Sequence, residues 1–248
     1  MSEIPNKLYR FYSLRPSKTD NKTGINSDLK FLEILLLSQN FTCKQFYMFN
    51  DPMEGMYKSK FTIYEKDIFK LKQSLYISCF TKDYKNPLMW SHYANGLQGI
   101  AIEIIVDKKS IHAGSIKKVI YSDTILEYTQ KRVMDYDTVV GILTHKLKHW
   151  KYEKEFRFIS SNTNYLYIPL RNTIKKINSC YIGKINKIFI GSPYQEAHNF
   201  EAIKKVHYDI EAYIKLKMDL MKYLNLLNIP YEVVSASDVI NIKAVEKF

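Results

Sequence analysis

Cysteine, glycine and proline are scarce in this 248-residue chain, which has 3, 8 and 7 of them. Cys43, Cys79 and Cys180 are far apart, and no Cys-x-x-Cys or mixed Cys/His cluster accompanies them. This spacing argues against a disulfide framework and a zinc finger, and it is typical of a reducing compartment. Few glycines and prolines together with 46% hydrophobic residues exclude fibrous and disordered classes and predict a packed globule.

Long apolar runs and targeting signals are also missing. A run such as Ile34–Leu37 is far too short for a membrane span, which needs about 20 residues. Residues 1–6 lack the charged-then-apolar pattern of a secretion signal. We therefore expect a cytoplasmic protein that makes no contact with a membrane.

Arginine is the rare basic residue. The formal charge is +12, yet only five of the 37 basic residues are arginine, namely Arg10, Arg15, Arg132, Arg157 and Arg171. Bidentate phosphate recognition favours arginine over lysine. The abundance of Lys, Ile, Asn and Tyr is also typical of an A+T-rich genome. The charge by itself is therefore weak evidence for a nucleic-acid partner, and it does not exclude such a partner.

Alternating apolar and polar residues predict strands, and helical periodicity predicts helices between them. The predicted strands are 7–13, 75–81, 99–106, 116–121, the stretch after Glu155, 165–169, 180–183, 187–191 and an edge strand at 231–235. The predicted helices are 28–39, one opened by Asn86-Pro87 that ends near Asn95-Gly96, 137–150, and a helical region from Pro193 to about Leu227.

The order of these segments decides the fold class. Strands are grouped, helices are inserted at intervals, and no glycine-rich phosphate loop is present, which argues against a doubly wound parallel sheet. We predict an α+β fold with a mixed or antiparallel sheet. No repeat or linker divides the chain, so residues 1–248 are expected to form one domain, with an α+β core at 1–192 and a mainly helical segment at 193–248 packed on it.

Four segments carry a family resemblance. They are Leu8–Phe11, Phe49–Glu54, the stretch from Ile77-Ser78-Cys79-Phe80 through Met89–Ala94 to Gly99, and Trp150–Arg157. By their order and spacing the chain is identified as a member of the bacterial domain-of-unknown-function family DUF2971. That resemblance implies no activity, because the family is named for lacking a known function.

A fainter similarity links the chain to ADP-ribosyltransferases of the arginine–serine–glutamate type. Arg10 lies on the predicted first strand, Ser78 and Thr81 on the strand 75–81, and Glu153-Lys154-Glu155 before a later strand. The resemblance implies an ADP-ribosyltransferase-like fold in which NAD is the substrate, Arg10 binds its phosphates or ribose, and Glu155 stabilises the oxocarbenium-like transition state. The usual Ser-Thr-Ser triplet is replaced by Ser78-Cys79-Phe80-Thr81, which leaves the role of that strand open.

Each candidate residue also has a structural interpretation. Glu153 and Glu155 are two apart, which would place both carboxylates on one strand face where one raises the pKa of the other; otherwise they are a solvated face paired with nearby lysines. Trp90 and Tyr93 share a helix face that could stack a nicotinamide or adenine ring, and His92 could carry a proton, but an aromatic core cluster explains them as well. No metal-ligand spacing accompanies His92.

These observations predict an NAD-dependent ADP-ribosyltransferase that modifies an unidentified protein or nucleic acid. Proteins resembling such enzymes often serve as toxins or anti-phage effectors. Two rival hypotheses remain open. One is a non-catalytic module that binds nucleic acid or a nucleotide, and the other is a metal-dependent nuclease built on Glu153, Glu155 and His92.

Overall fold

The computed structural model describes residues 3–18, 24–51, 53–60, 65–128, 135–171, 179–193 and 210–239. The strands are β1 (Lys7–Ser13), β2 (Asn40–Thr42), β3 (Tyr57–Ser59), β4 (Tyr76–Thr81), β5 (Gly99–Val106), β6 (Ile116–Lys118), β7 (Ile120–Ser122), β8 (Leu126–Tyr128), β9 (His145–Leu147), β10 (Glu155–Ser160), β11 (Tyr165–Tyr167), β12 (Gly183–Ser192) and β13 (Tyr231–Ser235). The α-helices are α1 (Ser27–Ser38), α2 (Glu65–Gln73), α3 (Pro87–Tyr93), α4 (Tyr136–Leu143), α5 (Ile210–Leu226) and α6 (Ala236–Val239).

A seven-stranded sheet forms the centre of the molecule, in the order β13-β12-β5-β1-β4-β10-β6. Its neighbours are antiparallel except for β12 and β13, which run parallel at one edge. The predicted α+β class with a mixed sheet is therefore confirmed, as is the edge strand at 231–235. Among the described helices, none is long and apolar enough to cross a membrane.

Helices cover both faces of this sheet. On one face, the leucines of α1 and the stripe Tyr213, Leu216, Leu220 and Leu224 of α5 pack against inward side chains of β5, β10 and β12. On the other face, α2 and α4 pack against Ile77 and Ile159, and α3 packs against β1 through Trp90. The helix of the C-terminal segment is thus part of the main core; residues 194–209 and 240–248 of that segment lie outside the described residues.

The strands β1 and β4 diverge, and this divergence creates the space for a site. β1 keeps seven registered pairs with β5 but only one with β4, between Tyr9 and Thr81. Further along β4, Ile77 instead exchanges two backbone hydrogen bonds of 2.8 Å with Lys44, which follows β2. The centre of the sheet is therefore closed at Tyr9 and open beyond it.

Local patterns predicted the start of α3 correctly. The Asn86 side chain accepts a hydrogen bond from the Leu88 amide at 2.9 Å, and Pro87 occupies the first turn, where it has no amide to leave unsatisfied. The predicted strand at 75–81 and helix at 28–39 are also present, as β4 and α1.

Three segments differ from the predictions. The helix expected over 137–150 ends at Leu143, because Thr144 turns its hydroxyl onto the Val140 carbonyl and the next three residues form β9, which pairs in parallel with β7. The strand expected at 116–121 is split into β6 and β7, which join different partners. Of the two strands expected at 180–183 and 187–191, the second lies within β12, which has an irregularity between Ile185 and Lys187, whereas the first contributes only Gly183 to it and an isolated bridge from Tyr181 to Tyr167. In each case pairing between distant segments overrides the local pattern.

Candidate functional site

A cavity of about 210 Å³ lies where β1 and β4 diverge. Its walls come from β1, β4, β10, α3 and the loop before β3. They combine aromatic and charged side chains, including Tyr9, Arg10, Phe11, Phe49, Glu54, Cys79, Phe80, Thr81, Tyr93, Lys146, Glu153, Glu155 and Arg157. The sequence-predicted residues Arg10, Thr81, Tyr93, Glu153 and Glu155 therefore meet at one cavity.

Arg10 is fixed on the β1 wall. Its guanidinium donates to the Ser78 hydroxyl on β4 and, at 3.1 Å, to the Thr42 carbonyl. The same group lies over the rings of Tyr12, Phe41 and Phe80 at 5.4–5.9 Å from their centroids. Ser78 is 1% exposed, so it positions Arg10 across the gap between the two strands.

Thr81 lies at the closed end of the cavity, opposite Glu155 in the β4–β10 register. Its hydroxyl accepts the Asp83 amide at 3.1 Å, and its side chain is 1% exposed. Thr81 therefore orders the turn that follows β4.

The helix α3 separates its three aromatic candidates. Trp90 is 1% exposed, packs edge-on against Phe11 and donates its indole N–H to the Tyr84 carbonyl at 2.6 Å. It is therefore a core residue that supports β1 from behind. Tyr93 reaches the cavity, where its hydroxyl donates to Glu153, whereas His92 is exposed on the surface beside the ring of Tyr152.

Glu155 is the centre of a buried ionic network. It accepts hydrogen bonds from Arg157 at 2.8 and 3.0 Å and lies 3.2 Å from the Lys146 ammonium. Arg157 also holds Glu54, with a distance of 2.9 Å from Nη2 to Oε2, and donates to the Leu143 carbonyl. Lys146 in turn donates to Glu153 at 2.6 Å. Three carboxylates thus share two cations, and none of the five side chains is more than 6% exposed.

Glu153 and Glu155 do not share a strand face, contrary to the prediction. Glu153 ends a short 3-10 helix (Lys148–Glu153), Lys154 adopts a left-handed conformation with φ of 45°, and β10 begins only at Glu155. The turn at Lys154 nevertheless brings both carboxylates onto Lys146. They are joined by a shared cation and not by strand periodicity.

The two carboxylates shift in opposite directions. Burial raises the pKa of Glu155, but Arg157 and Lys146 outweigh it and lower the value to about 2. Burial and the charge of Glu155 raise the pKa of Glu153, and Lys146 and Tyr93 only partly offset them. Glu155 is therefore a fixed anion at neutral pH, while Glu153 is the carboxylate that takes up a proton more readily.

This difference predicts an acid-sensitive fold. A carboxylate with a lowered pKa stabilises the fold fully above its ordinary value of 4.5 and loses that contribution as pH falls toward its folded value of about 2. Glu155 should account for about 3 kcal/mol of the unfolding free energy lost over that interval. Glu153, whose pKa is raised, contributes in the opposite direction. The free energy of unfolding, measured with urea from about pH 7 to about pH 3, should fall less steeply with acid in Glu155→Gln than in wild type. Glu153→Gln should not reduce this slope. Equal slopes in all three proteins would contradict the assignment.

Sequence reasoning missed two members of the network. Lys146 was expected inside a helix, and only the alternation of His145, Lys146 and Leu147 hints at the strand that directs it inward. Glu54 was noted only as the end of the segment Phe49–Glu54, yet its side chain is 4% exposed and paired with Arg157. Arg157, noted only as the end of the segment Trp150–Arg157, is the ion-pair partner of Glu155.

Comparison with known proteins gives one match. No curated protein and no solved structure matches the chain. Residues 89–158 match the model of the family described as "Protein of unknown function (DUF2971)". That range includes Tyr93, Lys146, Glu153, Glu155 and Arg157, while Arg10, Glu54 and Ser78 lie outside it. The segment 89–158, which supplies most of the ionic network, thus matches the DUF2971 model, as the motifs at Met89–Ala94 and Trp150–Arg157 predicted.

Proposed function

We propose that this protein is an NAD-dependent ADP-ribosyltransferase that modifies an unidentified macromolecule, with a role as a toxin or anti-phage effector. The observation that carries the proposal is that Arg10, held by Ser78, and the anion Glu155 both line one cavity. These three residues come from three strands, and the divergence of β1 from β4 opens the space between them. A purely structural ion pair would not need an open cavity beside it.

The side chains suit the chemistry of glycosidic cleavage. The bond between ribose C1′ and the nicotinamide nitrogen breaks, and its electron pair neutralises the pyridinium ring. A nucleophile of the acceptor forms the new bond to C1′ and releases its proton. Glu155 would stabilise the positive charge that develops on the ribose, because a preorganised ionised carboxylate in a buried site acts without reorganisation. Arg10 has five N–H donors and gives two hydrogen bonds to described residues, so it retains donors for a phosphate.

The cavity fits one end of the dinucleotide. Its volume of about 210 Å³ is below the roughly 300–1,000 Å³ of pockets that enclose drug-sized ligands. Tyr9, Phe11, Phe49 and Phe80 offer aromatic surface for a planar ring. We infer that the nicotinamide and its ribose enter the cavity while the adenosine half stays outside.

The proposal is tested by nicotinamide release from NAD. Purified protein is incubated with NAD carrying a labelled adenosine, with and without cell lysate, and both free nicotinamide and labelled macromolecules are measured. Release without lysate shows cleavage by water, and label transfer with lysate shows the transferase. No NAD binding and no release under either condition would reject the enzyme and leave the non-catalytic binding module.

Arg10→Met should weaken NAD recognition more than it slows turnover. A lost charge-assisted hydrogen bond costs about 1.5–3 kcal/mol, so we expect KM for NAD to rise about tenfold or more. Arg15→Met is the matched control, because Arg15 pairs with Asp28 near the start of α1 and does not line the cavity. An unchanged KM in Arg10→Met would remove Arg10 from the binding site.

The nuclease hypothesis finds less support in the geometry. His92 is exposed and does not line the cavity, so the histidine of the predicted nuclease set is not brought together with Glu153 and Glu155. Within the described ranges, no group of three or more His, Cys, Asp or Glu is arranged to hold a metal ion. Activity on nucleic acid that a chelator abolishes would favour the nuclease over the transferase.

A further inference from the structure

A row of aromatic side chains leads along the surface to the cavity. It consists of His149, Trp150, Tyr152, His92 and Tyr93, and we call it the aromatic row. Successive ring centroids lie 5.6, 6.1, 5.9 and 6.4 Å apart. The rings of Trp150, Tyr152 and His92 are tilted by only 34–37° from one to the next, so they form a stepped surface.

The aromatic row contacts the ionic network of the cavity. Tyr93 donates to Glu153 inside the cavity, and the ring of Trp150 lies over the Lys146 ammonium at 5.0 Å. The Asn86 side chain donates to the Tyr152 carbonyl at 2.8 Å and joins α3 to the 3-10 helix that bears Trp150 and Tyr152. A ligand lying on the row would therefore reach the cavity.

These rings do not build the protein core. None of the five belongs to the hydrophobic clusters of the described residues, and His92 and His149 are exposed while Trp150 and Tyr152 are half-buried. The indole N–H of Trp150 is buried without a hydrogen-bond partner among the described residues. Packing in the hydrophobic clusters does not explain why these rings adjoin here, and the unsatisfied buried donor of Trp150 calls for an explanation.

The surroundings of the aromatic row are basic. Lys148, Lys151 and Lys154 lie on the same segment as Trp150 and Tyr152, and Lys82 and Lys85 lie on the turn after β4, which Lys154 joins through Asp83 at 2.6 Å. Asp123 and Asp83 pair with Lys148 and Lys154, whereas no described carboxylate lies within ion-pair distance of Lys82, Lys85 or Lys151. The row therefore carries an excess of positive charge.

We propose that the aromatic row binds single-stranded nucleic acid and presents a base at the cavity as the acceptor of ADP-ribose. Stacked rings beside lysines are the means by which proteins hold single strands, because every base has a face to stack and every nucleotide has a phosphate. A duplex keeps its base faces inside and offers the row only phosphates. The assignment of the base as acceptor rests on the proposed transferase function, whereas strand binding does not require it.

The test measures strand binding in the absence of NAD. A failure of strand binding can therefore be distinguished from a failure of the proposed transferase activity. Fluorescein-labelled oligothymidylate, oligouridylate and a mixed-sequence duplex are titrated with the full chain by fluorescence anisotropy, at about 50 mM and about 200 mM salt. Trp150→Leu/Tyr152→Leu should weaken single-strand binding at least tenfold. The matched control is Tyr47→Leu/Tyr165→Leu, which removes two exposed rings outside the aromatic row and should leave binding unchanged.

Substitutions at two exposed residues test the proposal without removing a buried side chain. His92→Leu should weaken single-strand binding severalfold, and Lys151→Gln should weaken it and lower the salt slope, whereas Lys222→Gln on α5 should do neither. Comparison of the thymidylate and uridylate arms identifies DNA or RNA as the ligand. Equal affinity for the duplex, equal losses in the control variants, or label transferred only to lysate protein would each overturn the proposal.

Discussion

Replacing Arg157 by methionine should lower the free energy of unfolding by about 3–5 kcal/mol, the cost of removing one partner from a buried ion pair. Arg157 is 0% exposed and is the partner that Glu54 and Glu155 share. Without it, the two buried carboxylates repel each other, and Glu54 loses its ion pair while Glu155 keeps Lys146. Arg157→Lys should be less destabilised than Arg157→Met, because an ammonium supplies the positive charge but lacks the planar guanidinium that bonds two carboxylates at once. Urea denaturation at neutral pH measures both changes.

Two further variants separate the network from a general effect of charge. Glu54→Gln/Arg157→Met should be less destabilised than the sum of the single variants, since Glu54→Gln removes the carboxylate that Arg157→Met deprives of its ion pair. Arg15→Met is the control for an arginine–carboxylate pair at the surface and should cost at most about 1 kcal/mol. Similar losses in Arg157→Met and Arg15→Met would show that the buried network contributes little.

Glu155→Gln should reduce nicotinamide release by about 100-fold to 1,000-fold, the effect of deleting one preorganised electrostatic group from a catalytic site. Glutamine keeps the shape of the side chain and removes the charge that the transition state requires. The loss should fall on kcat more than on KM for NAD, because the developing positive charge exists only in the transition state. Steady-state kinetics of NAD cleavage separate the two parameters.

The control for this variant is Asp28→Asn, which neutralises another carboxylate held by an arginine, outside the cavity. It should retain turnover. Both proteins are compared at a temperature where urea denaturation shows them folded, because Glu155→Gln also weakens the network around Arg157. Turnover in Glu155→Gln within a factor of about two of wild type would reject Glu155 as the catalytic carboxylate and, with it, the proposed mechanism.

Part of the site was predictable because its chemistry is local. The alternation of residues 7–13 and 75–81 identifies the strands that bear Arg10 and Ser78, and Asn86-Pro87 places the start of α3. Capping and strand alternation depend on residues a few positions apart, so the amino-acid order is enough to recognise them. The same is true of the DUF2971 motifs, which are read directly from neighbouring residues.

The charged members of the cavity could not be predicted in this way. Glu54 arrives from the loop before β3, and Lys146 arrives on a strand that exists only because β7 pairs with it. Ion pairs between such segments depend on distances in three dimensions. A lysine in a short alternating stretch has the same sequence pattern whether it points to solvent or to a buried carboxylate, so the sequence cannot distinguish the two cases.

The sequence by itself determined the α+β class and the main strands of the sheet, because strand and helix formation follow side-chain periodicity. Only the tertiary structure decided that Arg10 and Glu155 line one cavity, that Glu153 and Glu155 meet through Lys146, and that the five rings of the aromatic row adjoin it. The physical reason is that these arrangements rest on pairing between segments far apart in the chain, such as Lys44 with Ile77 and β7 with β9, which no local pattern records.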